Sequence, residues 1–324
     1  MRAHEPDHDG YLDRDGVKLW YEVHGDGPTT VMLFPGWALP LQSWKAQIPY
    51  LSRHFCVIAF DPRGTGRSGR PLGPEAYALA EHVADAVAIM DEVQASSVVT
   101  LSKSRGGQTA LTLAADHPNR IAGVITAAPM IPLSPWPVYD LLWSAFEEPS
   151  VSKRQRAAVR SSLSSAGLFA RSRDLRHFIR RINVPEAANR FSRQSIIEDF
   201  DGFARWFQAR SIATDPHSTK QFDDLLNWMT ETGPQSVADS FIADCIRDPA
   251  AARALCARVS CPVLVIHGDR DLAVPFEWGK RLAELTGGQL MPVPGAGHLP
   301  GVRYPVIVNL AVREFIDSLS GATP

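Results

Sequence analysis

Residues 101–107 read LSKSRGG. Two serines stand one residue apart, each beside a cation, and two glycines follow. Upstream, SVVTLS (97–102) has the continuous apolar character of a strand end covered on both faces. Downstream, GGQTALTLAADH (106–117) has helical periodicity. A strand turning sharply into a helix is the setting of a nucleophile elbow, where strained backbone angles expose a hydroxyl at the end of a sheet. Strand and helix cross closely there, so small residues are needed two before and two after the nucleophile. With Ser104 in that role these are Ser102 and Gly106. With Ser102 they would be Thr100 and Ser104, and the glycines would fall too late. The spacing therefore selects Ser104, with Ser102 standing where glycine is usual. A plainer reading, a polar strand end running into a glycine-rich helix start, is decided by the rest of the chain.

Outward from the elbow, strand-like and helical runs alternate. VKLWYEVHG (17–25), TVMLFPG (30–36), FCVIAFD (55–61) and AGVITAAP (122–129) read as strands. SWKAQIPYLSRH (43–54) and AEHVADAVAIMDEV (80–93) read as helices. After a long interruption the pattern returns, with strands at PVLVIHGD (262–269) and QLMPVPG (289–295) and helices at FEWGKRLAELTG (276–287) and YPVIVNLAVREFIDSL (304–319). This alternation predicts an α/β fold with a mostly parallel, eight-stranded sheet and helices on both faces. The core is expected over 1–130 and 260–324, with a helical cap inserted at 131–259. The cap carries Trp136, Trp143, Trp206 and Trp228, a basic first half from Lys153 to Arg181, and an acidic second half from Glu198 to Asp239. Within it, Ser218 and Gln221 have the spacing of a capping box.

A serine hydroxyl needs a base and an acid that orients the base. Asp271 follows the strand PVLVI in GDRDLAVP, and His298 follows the strand QLMPV in PGAGHLP. Asp269 competes for the role of the acid, but its position suits the turn itself. An oxyanion needs donors fixed in advance. The Arg105 N–H, next to the nucleophile, is one candidate. The Trp37 N–H, in the loop FPGWALP, is the other.

These segments resemble the α/β-hydrolase fold family. FPGW looks like its oxyanion loop with Pro35 in place of histidine, and DPRGTGRSGRP (61–71) looks like its Asp-x-Arg-Gly-x-Gly-x-Ser turn. SKSRGG, GDRD and GAGHLP look like its three triad segments, in the order Ser, Asp, His. The resemblance covers about 1–130 and 260–324. It implies a serine hydrolase that cleaves an ester-like acyl bond of a small, partly apolar substrate without a cofactor, with Ser104, Asp271 and His298 catalytic. Trp37, Arg105, Trp136 and Trp143 are the candidate pocket residues. Serine at the elbow, rather than a carboxylate, argues against haloalkane dehalogenation and the carboxylate route to epoxide opening. Thioesterase or acyl-transfer chemistry on the same triad, a cofactor-free oxygenase or lyase, and a non-catalytic binding protein on this scaffold stay open as alternatives.

The composition fits this reading. The chain has 324 residues, 45% of them hydrophobic and 21% charged, with a formal net charge of −2. Nothing in that balance points to nucleic acid or to an anionic membrane. No apolar run is long enough to span a bilayer, and the N-terminus lacks a leader's apolar stretch, so the expectation is a cytoplasmic protein. A homo-oligomer is compatible with the sequence. Cys56, Cys245, Cys256 and Cys261 form no metal or disulfide framework and are expected as reduced thiols. Gly64, Gly66 and Gly69 satisfy a dinucleotide fingerprint by spacing, but Pro71, Gly73 and Pro74 follow where a helix would have to open. No metal-ligand motif is present.

The two cations of LSKSRGG need separate accounts. Lys103 is expected behind the elbow, against an aspartate or backbone carbonyls. Arg105, facing the pocket as this position often does in related folds, must either pair with an internal carboxylate or bind a substrate anion.

Overall fold

The computed structural model describes residues 5–135, 190, 192–212 and 217–320. Eight strands form one sheet: β1 (His8–Arg14), β2 (Val17–His24), β3 (Thr30–Phe34), β4 (Cys56–Phe60), β5 (Val98–Lys103), β6 (Ile121–Ala127), β7 (Val263–Gly268) and β8 (Gln289–Val293). Their spatial order is β1-β2-β4-β3-β5-β6-β7-β8. The β1–β2 and β2–β4 pairs are antiparallel, and every later pair is parallel.

The apolar runs exist because the inner strands are covered twice. On β3, Met32 and Phe34 face one core while Val31 and Leu33 face the other; on β4, Ile58 and Phe60 oppose Val57 and Ala59 in the same way. Four helices cover the first face: α1 (Leu79–Glu92), α2 (Gly106–Asp116), α7 (Pro249–Cys256) and α8 (Phe276–Thr286). Trp44, Leu51 and α9 (Pro305–Ser320) cover the second. Each large apolar side chain fully buried in this way contributes about 1.5–3 kcal/mol.

Two local readings are corrected. SWKAQIPYLSRH is not one helix; it is a 3-10 turn at Leu41–Trp44 and a single α-turn at Ile48–Leu51. Pro49 has no N–H to continue an α-helical ladder, and the amides of Lys45 and Gln47 instead bond three residues back, to Gln42 and Trp44. The strand β1, HDGYLDR, lies outside the strands read from the sequence. It is a mostly exposed edge strand and lacks an apolar run.

Between β6 and β7 the described regular elements are helices: α3 (Arg193–Glu198), α4 (Phe200–Phe207), a π-helical turn (Gln208–Ile212), α5 (Thr219–Thr232), α6 (Pro234–Ile242) and α7. The Ser218–Gln221 capping box forms as expected, opening α5. Phe203, Trp206, Met229, Val237 and Phe241 build a separate apolar cluster that also takes in Ala38. This places α3–α6 over the loop that follows β3. The tie is polar as well: Thr232 donates to the Ala38 carbonyl, and Trp37 Nε1 donates to Ser240 Oγ at 2.9 Å. Trp136, Trp143 and the basic run from Lys153 to Arg181 lie outside the described residues. All four cysteines are free thiols. Among the described residues no helix is long and apolar enough to cross a membrane.

Candidate active site

Ser104 is the first residue after β5, and its φ of +51° lies in the left-handed region that a side chain normally avoids. Local bonds hold it there. Its N–H donates to the Ala127 carbonyl at 2.9 Å, and its own carbonyl accepts from Gly107 and Met130 at 3.0 Å each. The residue two positions on has to be glycine. A Cβ at Gly106 would stand 2.3 Å from the Pro35 carbonyl oxygen and 2.6 Å from that of Phe34. Ser102, two positions back, is fully buried and donates to the Ile125 carbonyl, so a hydroxymethyl group fits there.

Three loops at the carboxyl ends of β5, β7 and β8 bring the sequence-predicted triad residues together. His298 Nε2 lies 2.9 Å from Ser104 Oγ, and His298 Nδ1 lies 2.9 Å from Asp271 Oδ2. All three side chains are buried. Asp271 Oδ1 accepts from the Ala273 and Val274 amides at 2.8 and 2.9 Å. Burial alone would raise the Asp271 carboxyl. The charge of His298 and hydrogen bonds from His267 and His298 outweigh burial and hold it well below the usual carboxylate range. Asp269 does turn work: it accepts from the Gly295 N–H at 2.6 Å.

His267, the penultimate residue of β7, is a member of this site that the sequence reading missed. It is fully buried, with Nε2 3.1 Å from Asp271 Oδ2 and 3.3 Å from the Val274 carbonyl.

Beside the elbow, the Trp37, Ala38 and Arg105 amides carry no hydrogen bond among the described residues. The loop that presents the first two is fixed from several sides. Leu39 donates back to Gly36, Leu41 donates to Asp61 Oδ1 at 2.8 Å, and the Trp37 ring packs on Phe207 and Phe241. Asp61 also accepts from the Arg67 amide, which closes the DPRGTGRSG turn; burial pushes its carboxyl up to about 6 against these two bonds.

Lys103 and Arg105 diverge. Lys103 is buried, donates to the Ser43 carbonyl at 2.8 Å and sits 3.9 Å above the Trp44 ring; no carboxylate among the described residues pairs with it. Arg105 points the other way and donates through Nη1 to the Ser240 carbonyl. Arg105 and Trp37 both line a cavity of about 60 Å³ that runs alongside the elbow. Ser104 is not in the cavity wall, but its neighbours Arg105 and Gly106 are.

The α/β hydrolase fold family matches this chain over residues 29–302, which spans strands β3 to β8, the elbow and the loops just described. The chain belongs to this family. Similarity within the family extends along the whole length for some relatives. A bifunctional esterase/perhydrolase of Acinetobacter calcoaceticus is 27% identical over 95% of this chain and 100% of its own. A protein named as a candidate carbamate hydrolase in Caulobacter vibrioides is 36% identical over 110 residues, which is 33% of this chain and only 40% of that one. Among solved structures, a bromoperoxidase from Bacillus anthracis superimposes with a TM-score of 0.68 at 22% identity, covering 96% of this chain and all of that one; at that identity the likeness is one of fold. In this family member the strand ends carry a hydroxyl, an imidazole and a carboxylate in series, with free amides beside them. That arrangement suits acyl transfer.

Proposed function

We propose that this chain is a serine hydrolase that cleaves an ester-like acyl bond, with the insertion expected at 131–259 serving as a cap over the site as far as α6, while α7 at its end packs on the sheet. One observation carries the reading: the unbroken chain of contacts from Ser104 Oγ to His298 Nε2 and from His298 Nδ1 to Asp271 Oδ2, 2.9 Å at each step.

In the first half-reaction Ser104 Oγ bonds to the acyl carbon as its proton passes to His298 Nε2. The carbonyl π pair moves onto oxygen. Asp271, ionised and tied by four donors, fixes the imidazole with Nδ1–H toward itself and stabilises the cation that forms. The Arg105 and Trp37 amides receive the oxyanion, each such donor contributing about 3 kcal/mol to the transition state. The tetrahedral adduct collapses, the bond to the leaving oxygen breaks, and that oxygen takes the proton from Nε2. Water then adds to the acyl-enzyme by the same route, its proton going to His298, and the acid leaves as the proton returns to Ser104.

The end-to-end relatives include an esterase and a protein named as a candidate carbamate hydrolase, which supports acyl hydrolysis and leaves the choice of acyl bond to a substrate panel. Turnover of p-nitrophenyl butyrate tests the reading. Wild type should hydrolyse it and Ser104→Ala should lose about 10⁴-fold or more in kcat. Equal rates would favour a binding protein on this scaffold.

A further inference from the structure

We propose that the cavity beside the elbow is a carboxylate subsite anchored by Arg105, so that the substrate is an ester carrying a carboxylate on a short chain. This rests on the serine-hydrolase reading and adds the substrate class to it.

The argument begins with the arginine. A guanidinium has five N–H donors, and taking it out of water without an anion is costly. Arg105 is only partly exposed, uses Nη1 on the Ser240 carbonyl, and has no carboxylate oxygen within 4.0 Å among the described residues. The other arginine of the cavity wall is neutralised. Arg63, which lines the same cavity, forms a two-pronged pair with Asp85, Nε to Oδ2 and Nη2 to Oδ1 at 2.7 Å each. Arg14 shares Asp85 and Glu81. Among the described residues Arg105 is thus a charge of the cavity wall without a carboxylate partner, and the internal ion pair open from the sequence does not form there.

The rest of the wall suits one small monoanion. The imidazole of His82 lines the cavity with no hydrogen bond among the described residues. Burial, helped by Arg105 and Arg63 against the pull of Asp85, lowers it to about 4, so it offers a neutral N–H and adds no second charge. Thr109 brings a hydroxyl, while Phe34, Phe60 and Leu79 make the remainder apolar. A planar fork facing one free charge matches a carboxylate; a phosphate dianion would leave a negative charge unbalanced. Gly36 and Gly106, which flank Ser104 in space and in sequence, also border the cavity, so an acyl chain in place at the hydroxyl would run along it.

The test separates binding from turnover. Calorimetry on Ser104→Ala would compare the monomethyl esters of succinate, glutarate and adipate with their dimethyl esters. At least one monoester should bind about 10- to 100-fold tighter than its diester, the range for a charged hydrogen bond. Arg105→Gln should erase the difference, Arg105→Lys should retain part of it, and His82→Phe should weaken monoester binding several-fold, each with an unchanged circular dichroism spectrum. No preference at any chain length, or a preference that survives Arg105→Gln, would overturn the subsite. Preferential binding with no esterase activity in wild type would leave the subsite standing and remove the hydrolase reading. Esterase activity without the preference would do the reverse.

Discussion

His267 Nε2 lies 3.1 Å from Asp271 Oδ2, the same oxygen that His298 Nδ1 approaches to 2.9 Å. The second neighbour of His267 Nε2, the Val274 carbonyl, can only accept, so the proton of this ring sits on Nε2. Its Nδ1 is buried with no hydrogen-bond partner among the described residues, against Gly279, where a Cβ would come within 2.2 Å. The Nε2–H is thereby directed at the Asp271 carboxylate and the Val274 carbonyl, which fixes the orientation of the ring. It acts as a positioning residue for the carboxylate, through Asp271 and not on substrate.

His267→Ala therefore removes one of four donors to Asp271 and opens a void. The expected loss is about 2–4 kcal/mol of stability, combining a lost charged hydrogen bond with a small cavity. With fewer donors, the carboxylate gives more of its charge to His298, so the acid limb of the kcat/KM profile should move to higher pH. A thermal melt and a pH–rate profile check the two effects separately, and a lowered Tm with an unmoved limb would mark His267 as structural only.

Gly106→Ala sets a methyl group against the Pro35 and Phe34 carbonyls, both backbone atoms that cannot swing aside. A destabilisation of about 3 kcal/mol is expected from this overpacking. Urea unfolding measures it, and a loss under 1 kcal/mol would mean that α2 moves freely against β3.

Much of this was legible in the sequence, for physical reasons. Strands buried on both faces must be apolar throughout, so β3 to β7 announce themselves. The elbow is legible because a close strand–helix crossing admits only small residues at 102 and 106. Other features left no such trace. β1 is an exposed edge whose pairing to β2 needs no apolar run. His267 stands inside the run VLVIHG, where one polar residue reads as an interruption until the fold aims it at Asp271. The surroundings of Arg105 come from α1 and α6, distant in the chain, so neither its missing carboxylate nor His82 beside it follows from spacing.

Lys103 offers a test with a definite sign. Burial holds its amine well below the ordinary lysine value, with one carbonyl and one ring face as its only described partners. Between the folded and unfolded values the unfolded chain binds the extra proton. Stability therefore rises with pH across that window, and the penalty is fully present below the folded value. Lys103→Met removes the penalty while keeping a flexible chain of similar length. The variant should equal or exceed wild type in stability at pH 7, and its advantage should shrink as pH approaches 10. An advantage that grows with pH would contradict the assignment.

Ser218→Ala should cost about 1 kcal/mol, the usual value of a lost N-cap. The Ser218 hydroxyl accepts from the Gln221 amide at 3.2 Å and opens the helix carrying Trp228 and Met229. The loss should appear in unfolding experiments, and Ser218→Asp should recover most of it.

The most direct measurement is intact-protein mass spectrometry, with peptide mapping, after brief exposure to a fluorophosphonate. The account predicts a single adduct on Ser104, slowed by orders of magnitude in His298→Ala and absent in Ser104→Ala. An adduct on another residue, or labelling of Ser104 at an unchanged rate without His298, would contradict it.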